Sequence, residues 1–170
     1  MVELRQRSTA RQRLSMQVRD LRRDDVPQVT SMLSVLPTLY PNGDAWLSRR
    51  LADVLVGDAR CTLLDVGHQL AGVAIESPKA AGRLKLSTFL IADEFRNAGM
   101  GGAFIRHLKD RWVAEELAEV YVTVADQNHD QVLRAFNPVG FLTLTCEKDR
   151  YGAGRREYVL TCLPSENDCR

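Results

Sequence analysis

Several features that would assign this chain to a class of protein are missing from it. No apolar run approaches the ~18 residues that a membrane-spanning helix requires, so we expect no membrane partner. The 23 basic residues against 22 acidic ones leave a net charge of only +1, which argues against a protein dedicated to coating a polyanion. Lysine is scarce, with 4 residues against 19 arginines. This bias agrees with a GC-rich genome and equally with a need for phosphate-binding guanidinium groups.

Cysteine is also sparse, and its spacing does not suit a metal. The four cysteines, Cys61, Cys146, Cys162 and Cys169, form no CxxC pair, and we predict no metal site. Cys61 and Cys162 lie in alternating apolar segments that are typical of small core residues. Because no signal peptide is recognisable, free thiols indicate a reducing compartment, and we predict a cytoplasmic protein.

The length predicts one domain with two short tails. A chain of 170 residues has a core large enough to bury about 70% of its extended surface, so it needs no disulfide or metal to fold. We place the domain at residues 16–163 and a C-terminal tail at 164–170. Residues 1–15 form a basic tail with too few apolar groups to fold, and we expect disorder there. An RNA-contacting arm and an organellar transit peptide are the alternatives for this tail.

The spacing of apolar residues predicts eleven elements of secondary structure. Alternation with a period of two predicts seven strands, at 16–21, 60–66, 70–76, 83–92, 120–125, 141–147 and 156–162. Helical spacing predicts four helices, at 24–36, at 44–55 with Asp44 as N-cap, at 100–116 and at 127–136. The order βααβββαβαββ is a mixed α/β fold, antiparallel at first and then with one parallel βαβ crossover. In such sheets a ligand site is expected between a strand and the helix that follows it.

The loop at that place, residues 93–102, is rich in glycine. It reads DEFRNAGMGG, with Gly99, Gly101 and Gly102 at the start of a long predicted helix. The first N–H groups of a helix have no intrahelical partner and favour an anion, and glycine leaves them unobstructed. Arg96 adds a guanidinium that can pair with phosphate oxygens. The pattern predicts a diphosphate site, with a purely structural glycine turn as the alternative.

Two common phosphate-binding motifs do not fit this loop. A P-loop needs a lysine followed by serine or threonine after its second glycine, and none is present. A dinucleotide fingerprint would read GxGxxG, but the sixth position counted from Gly99 is Phe104. That motif also belongs early in a doubly wound sheet, whereas here two helices and an antiparallel run precede it.

The loop resembles the signature of the GNAT superfamily of N-acetyltransferases. Residues 96–101, Arg-Asn-Ala-Gly-Met-Gly, fit the family pattern R/Q-x-x-G-x-G/A. The order of elements from residue 17 to residue 163 is similar to that of the family, and residues 135–141 resemble its aromatic segment that ends in Gly-Phe. The resemblance implies a GNAT-like, mostly antiparallel sheet flanked by helices. It also implies an enzyme that moves an acetyl group from acetyl-CoA to an amine by direct attack.

The resemblance further implies where acetyl-CoA would bind. Its diphosphate would lie on the loop amides, and its pantetheine arm would pair like an added strand with the end of strand 83–92. The thioester would lie where strands 83–92 and 120–125 separate. Asn128 matches a position where the family often has a cofactor-contacting asparagine. The implied cofactor-binding residues are Leu90, Ile91, Ala92, Arg96, Asn97, Ala98, Gly99, Met100, Gly101, Gly102 and Asn128.

Fewer residues are indicated for proton transfer. The family commonly has a tyrosine four residues before the glycine of its Gly-Phe pair, where it protonates the leaving thiolate, and this chain has Phe136 there. Asn128, His129 and water are the substitutes. Glu76 is the candidate base, at the end of a strand that we expect to face the acceptor cleft. The candidates for a water relay are Ser87, Thr88 and Thr123.

Three functions stay open on the sequence alone. The first is an N-acetyltransferase whose amine acceptor the fold does not specify. The second is a CoA-binding or interaction module of the same fold without catalysis, which Phe136 favours. The third is an acyltransferase acting on an RNA-borne amine, guided by the basic tail. Tyr40, Pro41 and Trp46 are candidates for a substrate wall, and homodimers are common among such folds, although no residue here identifies an interface.

Overall fold

A computed structural model describes residues 15–39, 42–149 and 153–166. The strands are β1 Met16–Asp20, β2 Arg60–Val66, β3 Gln69–Pro78, β4 Arg83–Ile91, β5 Glu119–Ala125, β6 Leu142–Lys148 and β7 Arg156–Cys162. The helices are α1 Val26–Met32, α2 Leu36–Leu39, α3 Gly43–Val56, α4 Met100–Ala114 and α5 His129–Phe136. Over these stretches of the chain, none of the helices is long and apolar enough to cross a membrane.

The strands form one sheet in the order β1-β2-β3-β4-β5-β7-β6. All neighbours are antiparallel except β4 and β5, which are parallel and joined by the crossover helix α4. The predicted mixed fold is confirmed, including the central position of β4. A crossover is needed there because a tight turn cannot join parallel strands.

Helices cover both faces of the sheet. On one face, α4 and α5 pack through a stripe that includes Phe104, Leu108 and Trp112, which have no exposed surface. On the other face, α1 and α3 pack through residues such as Val29 and Leu47. Each large apolar side chain buried in this way contributes about 1.5–3 kcal/mol. We call these two sides the α4 face and the α3 face.

Strand β4 contains a β-bulge that redirects its side chains. Ile75 of β3 pairs with Thr88, whereas the next residue, Glu76, pairs with Leu86, so Ser87 is the extra residue. A bulge interrupts the strict alternation of side chains along a strand. Ser87 and Thr88 therefore both line a cavity on the α3 face, although they are consecutive.

Strands β4 and β5 separate soon after they start. Their parallel pairing is limited to Arg83–Lys85 against Glu119–Tyr121. Beyond it β4 continues to Ile91, while β5 continues to Ala125 and stays paired with β7 on its other side. The result is an opening in the middle of the sheet, at the place where the resemblance implies one.

Two helix predictions were wrong in their details. The predicted helix 24–36 is interrupted after Met32, and a separate short helix, α2, begins at Leu36 with Pro37 in its first turn. Proline is tolerated there because the first N–H groups of a helix have no partner. Asp44 is not an N-cap, since Asn42 precedes α3 in the left-handed conformation with φ 59°. Asp44 lies in the first turn of α3, where the helix dipole still favours a carboxylate.

The predicted tails lie largely outside the described residues. Residues 1–14 and 167–170, including Cys169, are not described, nor are Tyr40 and Pro41. The chain beyond Cys162 is described as far as Glu166, and Pro164–Glu166 form a 3-10 turn that contacts α4.

Candidate active site

The glycine-rich loop leads directly into the N-terminus of α4. Gly99 adopts the left-handed conformation with φ 77°, which turns the chain from the loop into the helix and is the conformation that favours glycine. The Ala103 N–H donates to the carbonyl of Gly99 at 3.0 Å. In the part of the chain that the structure describes, no hydrogen bond uses the amides of Met100, Gly101 or Gly102. These amides are therefore available to an anion.

Two arginines contribute guanidinium groups to this region, one held at the end of β4 and one on α4 itself. The Nε of Arg96 donates to the carbonyl of Ile91 at 2.9 Å, and its Nη1 pairs with Asp93 at 2.8 Å. Arg96 is thus braced against the end of β4, with 42% of its side chain exposed. A Cβ built on Gly102 would lie 3.4 Å from Nη1 of Arg106, so this second guanidinium covers the start of the helix.

Sequence reasoning missed Arg106. The signal that could have found it is its position four residues after Gly102, because residues i and i+4 are neighbours on one side of a helix. The first turn of α4 contains no acidic residue. The chain therefore offers free amides, a helix dipole and the Arg106 guanidinium at one place, with Arg96 held at the end of β4, a combination that fits a diphosphate.

The end of β4 lies beside a cavity of about 560 Å³. Leu90, Ile91, Ala92 and Arg96 line it together with residues of α1, so the structure brings these four predicted residues together. The Ala92 N–H donates to Ala71 at 2.9 Å. Alternation along an antiparallel ladder then directs the backbone groups of Ile91 towards the open edge of β4.

One implied backbone contact does not fit this arrangement. Both backbone groups of Ala92 already have partners, because its N–H donates to Ala71 and its carbonyl accepts from Phe95 at 2.9 Å. We correct the implied pantetheine contacts accordingly. The ladder leaves Phe89 and Ile91, rather than Ala92, facing the side on which β5 has moved away, although the Ile91 carbonyl there already accepts from Nε of Arg96.

A second cavity, of about 420 Å³, lies between the bulged part of β4 and helix α3. Its floor carries the hydroxyl groups of Ser77, Ser87, Thr88 and Thr123, and Ser77 and Ser87 are hydrogen-bonded at 2.9 Å. The three hydroxyl residues suggested as a relay therefore share one cavity. Its other lining residues are Leu36, Gly43, Trp46, Arg50, Lys79 and Lys85.

Asn128 lies beside a third cavity, of about 390 Å³. It is the N-cap residue of α5, and its cavity shares no lining residue with the other two. The segment before α3 links all three sites, because Val35, Leu36 and Thr38 each line a different one. Sequence reasoning placed a substrate wall at Tyr40, Pro41 and Trp46, and Trp46 does line the second cavity, but it did not identify Val35, Leu36 and Thr38.

Glu76 does not face the cavity between β4 and α3. Its carboxylate lies on the α4 face, where it accepts hydrogen bonds from Nη2 of Arg111 and from Nε1 of Trp112. Only 1% of Glu76 is exposed, and burial raises the pKa of its carboxyl against the opposing effect of Arg111. The expectation that Glu76 faces the acceptor cleft was wrong because β3 alternates regularly, so Glu76 lies with Ala74 on the α4 face while Ile75 lies on the α3 face.

The residues considered as proton donors to the leaving thiolate either lie outside the cavity between β4 and α3 or have no proton to donate. Both ring nitrogens of His129 have partners, Asp130 at 3.1 Å and Thr143 at 3.0 Å, and the ring packs against Tyr158. Phe136 is 2% exposed and contacts Phe89 edge-on, with ring centres 5.0 Å apart. The position that the family commonly gives to tyrosine is therefore part of an aromatic core.

Comparison with solved structures identifies the fold. An acetyltransferase described as a GNAT-family protein, from Desulfovibrio desulfuricans, superimposes with a TM-score of 0.77 at 14% identity, covering 89% of this chain and 100% of that one. The ribosomal-protein-S18-alanine N-acetyltransferase of Escherichia coli gives a TM-score of 0.74 at 17% identity, covering 90% and 98%. Spermidine N-acetyltransferase from Vibrio cholerae, in complex with CoA and spermine, gives 0.72 at 16% identity, covering 88% and 96%.

The chain therefore has the fold of the GNAT acetyltransferases, as the resemblance of its loop implied. The match to each of these structures spans most of both chains. No family profile matches the sequence, and no curated protein matches it.

Proposed function

We propose that this chain is an acetyl-CoA-dependent N-acetyltransferase, which transfers the acetyl group to an amine by direct attack on the thioester. The observation that carries the proposal is the opening between β4 and β5 beside the unused amides at the start of α4. The fold shared with acetyltransferases supports the same class of reaction, although a fold alone does not specify an acceptor.

The loop and the end of β4 would hold acetyl-CoA. The amides of residues 97–102 and the guanidinium groups of Arg96 and Arg106 would bind the diphosphate, each exposed charge–dipole contact contributing about 0.3–1 kcal/mol. The open edge of β4 at Phe89–Ile91 would pair with the pantetheine arm as an added strand does. Asn128, at the start of α5, is proposed as a further polar contact. When bound, acetyl-CoA supplies an activated acetyl carbonyl.

The acceptor would enter the cavity between β4 and α3. In the overall reaction a nitrogen–carbon bond forms, the carbon–sulfur bond breaks, the amine loses a proton and the thiolate leaves. The hydroxyl groups of Ser87, Thr88 and Thr123 would pass the amine proton to water, since no carboxylate is among the described lining residues. A CoA thiolate is a moderately good leaving group at neutral pH, so Phe136 does not prevent the reaction.

Calorimetry with acetyl-CoA, combined with detection of free thiol, tests this proposal. We expect saturable binding and, with a suitable amine, thiol release. Gly101→Asp places a negative charge at the N-terminus of α4. It should weaken binding at least roughly tenfold, because this charge offsets the positive end of the helix dipole and repels the diphosphate. The control is Gly101→Ala, because a Cβ there meets Ile91 at an ordinary distance of 3.5 Å. It should bind like the wild type.

The outcomes separate the proposed enzyme from its main alternative. Saturable binding without turnover on any amine would favour a CoA-binding module that does not catalyse transfer. A calorimetric trace without heat for any CoA thioester would overturn the proposal altogether. Equal binding of acetyl-CoA by Gly101→Asp and Gly101→Ala would show that the diphosphate does not bind at this loop.

Two expectations from the sequence accompany the proposal. A cytoplasmic location agrees with the free thiols of Cys61, Cys146 and Cys162. Transfer to an RNA-borne amine stays a prediction, because the basic tail that suggested it lies almost wholly outside the described residues.

A further inference from the structure

The cavity between β4 and α3 is lined by positive charge. Arg50, Lys79 and Lys85 line it, and none of its ten described lining residues is acidic. Neither lysine forms an ion pair with any carboxylate of the described chain. The overall charge of the chain is only +1, so this concentration of cations is a property of the cavity rather than of the protein as a whole.

The Arg50 side chain contacts two residues of its own helix, but one of its nitrogens lacks a hydrogen-bond partner among the described residues. Its Nη1 pairs with Asp53 at 3.1 Å, and its Cζ lies 5.7 Å from the centre of the Trp46 ring. Its Nε is buried and has no hydrogen-bond partner among the described residues. Leaving a buried donor unpaired is unfavourable. A ligand oxygen that reached this nitrogen would remove that penalty, and a carboxylate or phosphate matches the planar guanidinium best.

Lys85 and Thr88 lie in different parts of the cavity. Lys85 belongs to the segment of β4 that is still paired with β5, whereas Thr88 lies where the two strands have separated. Three residues along a strand correspond to roughly 10 Å. An acceptor can therefore place its amine near Thr88 and the opening while its other end lies within reach of the long, flexible side chain of Lys85.

We propose that the amine acceptor carries an anionic group, a carboxylate or a phosphate, and is not a polyamine. This inference rests on the proposed acetyl transfer and specifies its substrate class. The cations around the cavity attract such an anion and repel a second ammonium group. They also disfavour the protonated form of the attacking amine, which assists a site whose described lining has no carboxylate base.

Three acceptors of equal length test the proposal. Butylamine, 4-aminobutyrate and putrescine present the same primary amine and differ in the far end, which is neutral, anionic or cationic. We expect kcat/KM to be highest for 4-aminobutyrate, at least roughly tenfold above butylamine, since a hydrogen-bonded charge contributes about this factor. Putrescine should be the poorest. Adding 3-aminopropylphosphonate distinguishes a phosphate-like group from a carboxylate.

Two variants assign the preference to the cavity. Arg50→Gln and Lys85→Gln should each raise KM for 4-aminobutyrate roughly tenfold and change KM for butylamine much less. The matched control is Lys148→Gln, which removes an exposed charge from β6 outside the cavity. It should alter neither value.

The outcomes separate this inference from the proposed function. A kcat/KM for putrescine equal to or above that for 4-aminobutyrate overturns the anionic acceptor while acetyl transfer stands. If no amine is turned over although acetyl-CoA binds, the proposed transfer fails on these acceptors, and ligand-observed NMR on the CoA-loaded protein decides the charge preference. Binding of 4-aminobutyrate alone then supports the anion site, and binding of putrescine alone, or of neither, overturns it.

Discussion

The carboxylate of Glu76 accepts a hydrogen bond of 2.5 Å from the indole Nε1 of Trp112, inside the core between β3 and α4. Its other oxygen, Oε2, accepts a hydrogen bond from Nη2 of Arg111, whose side chain is 21% exposed. The ion pair and the indole contact attach the crossover helix to the sheet. Because α4 begins at the glycine-rich loop, this attachment also fixes the position of the amides that are proposed to hold the diphosphate.

We predict that Glu76 acts on stability rather than on catalysis. Glu76→Ala removes one partner of a buried pair and should lower the free energy of unfolding by about 3–5 kcal/mol. Urea unfolding measures this loss, and kcat/KM per folded molecule at low temperature should stay within a few fold of the wild type. Glu116→Gln, at an exposed position just beyond α4, is the control. A stable Glu76→Gln protein without activity would restore Glu76 as the base.

A second prediction concerns stability in acid. Arg19 bridges Asp25 of the turn before α1 and Asp65 of β2, at 2.7 and 2.6 Å. The hydrogen bond from Arg19 lowers the pKa of Asp25 below its ordinary value of 3.8. The stability that the ionised Asp25 contributes to the fold is therefore complete above pH 3.8. It is lost as the pH falls through the lower pKa that Asp25 has in the folded state.

Asp25→Asn tests the predicted direction of this pH dependence. The variant should lose about 1.5–3 kcal/mol at pH 7, as expected for hydrogen bonds to a charged group. Its difference from the wild type should shrink as the pH falls below 3.8. Urea unfolding across pH 2–7 gives both values, and Asp24→Asn, at the exposed neighbouring position, should show neither effect. A difference that does not change with pH would contradict the assignment.

A third prediction concerns the position where the family commonly has tyrosine. Phe136 packs against Phe89 and Phe141, with ring centres 5.0 and 5.1 Å apart. Phe136→Tyr would place a hydroxyl in this apolar cluster and should destabilise the fold by about 1–3 kcal/mol without raising kcat. Thermal unfolding and steady-state kinetics check both effects. A clear increase in kcat would show that the added hydroxyl reaches the leaving sulfur.

A fourth prediction addresses the hydroxyl groups of the bulge. The double variant Ser87→Ala with Thr88→Val removes two hydroxyls that line the acceptor cavity and keeps the size of the side chains nearly constant. We expect kcat to fall roughly a hundredfold, the lower end of the effect of lost proton transfer, with the dissociation constant of acetyl-CoA unchanged. Ser48→Ala, on the exposed side of α3, is the control. An unchanged kcat would exclude a relay through these groups.

Much of the fold could be predicted because local patterns were consistent with the tertiary structure. Alternation placed β2 and β7 with the bounds that the structure has, and the apolar stripe placed the start of α4 at Met100. The loop with Gly99 could be found for the same reason, since a left-handed residue and free amides at a helix start are local properties. The break between α1 and α2 was missed, because helical spacing continues across it in the sequence.

The sequence by itself determined the order of elements, the sheet class and the glycine-rich turn into α4, since each depends on residues close together along the chain. Only the tertiary structure decided which side chains meet. One extra residue in β4 turns both Ser87 and Thr88 towards the α3 face, whereas Glu76 points to α4 because its own strand, β3, alternates without interruption. A strand alternates with period two, so a single bulge changes the face of every side chain after it. The cationic cavity likewise exists only because α3 packs over β4 and brings Arg50 near lysines that are distant from it in sequence.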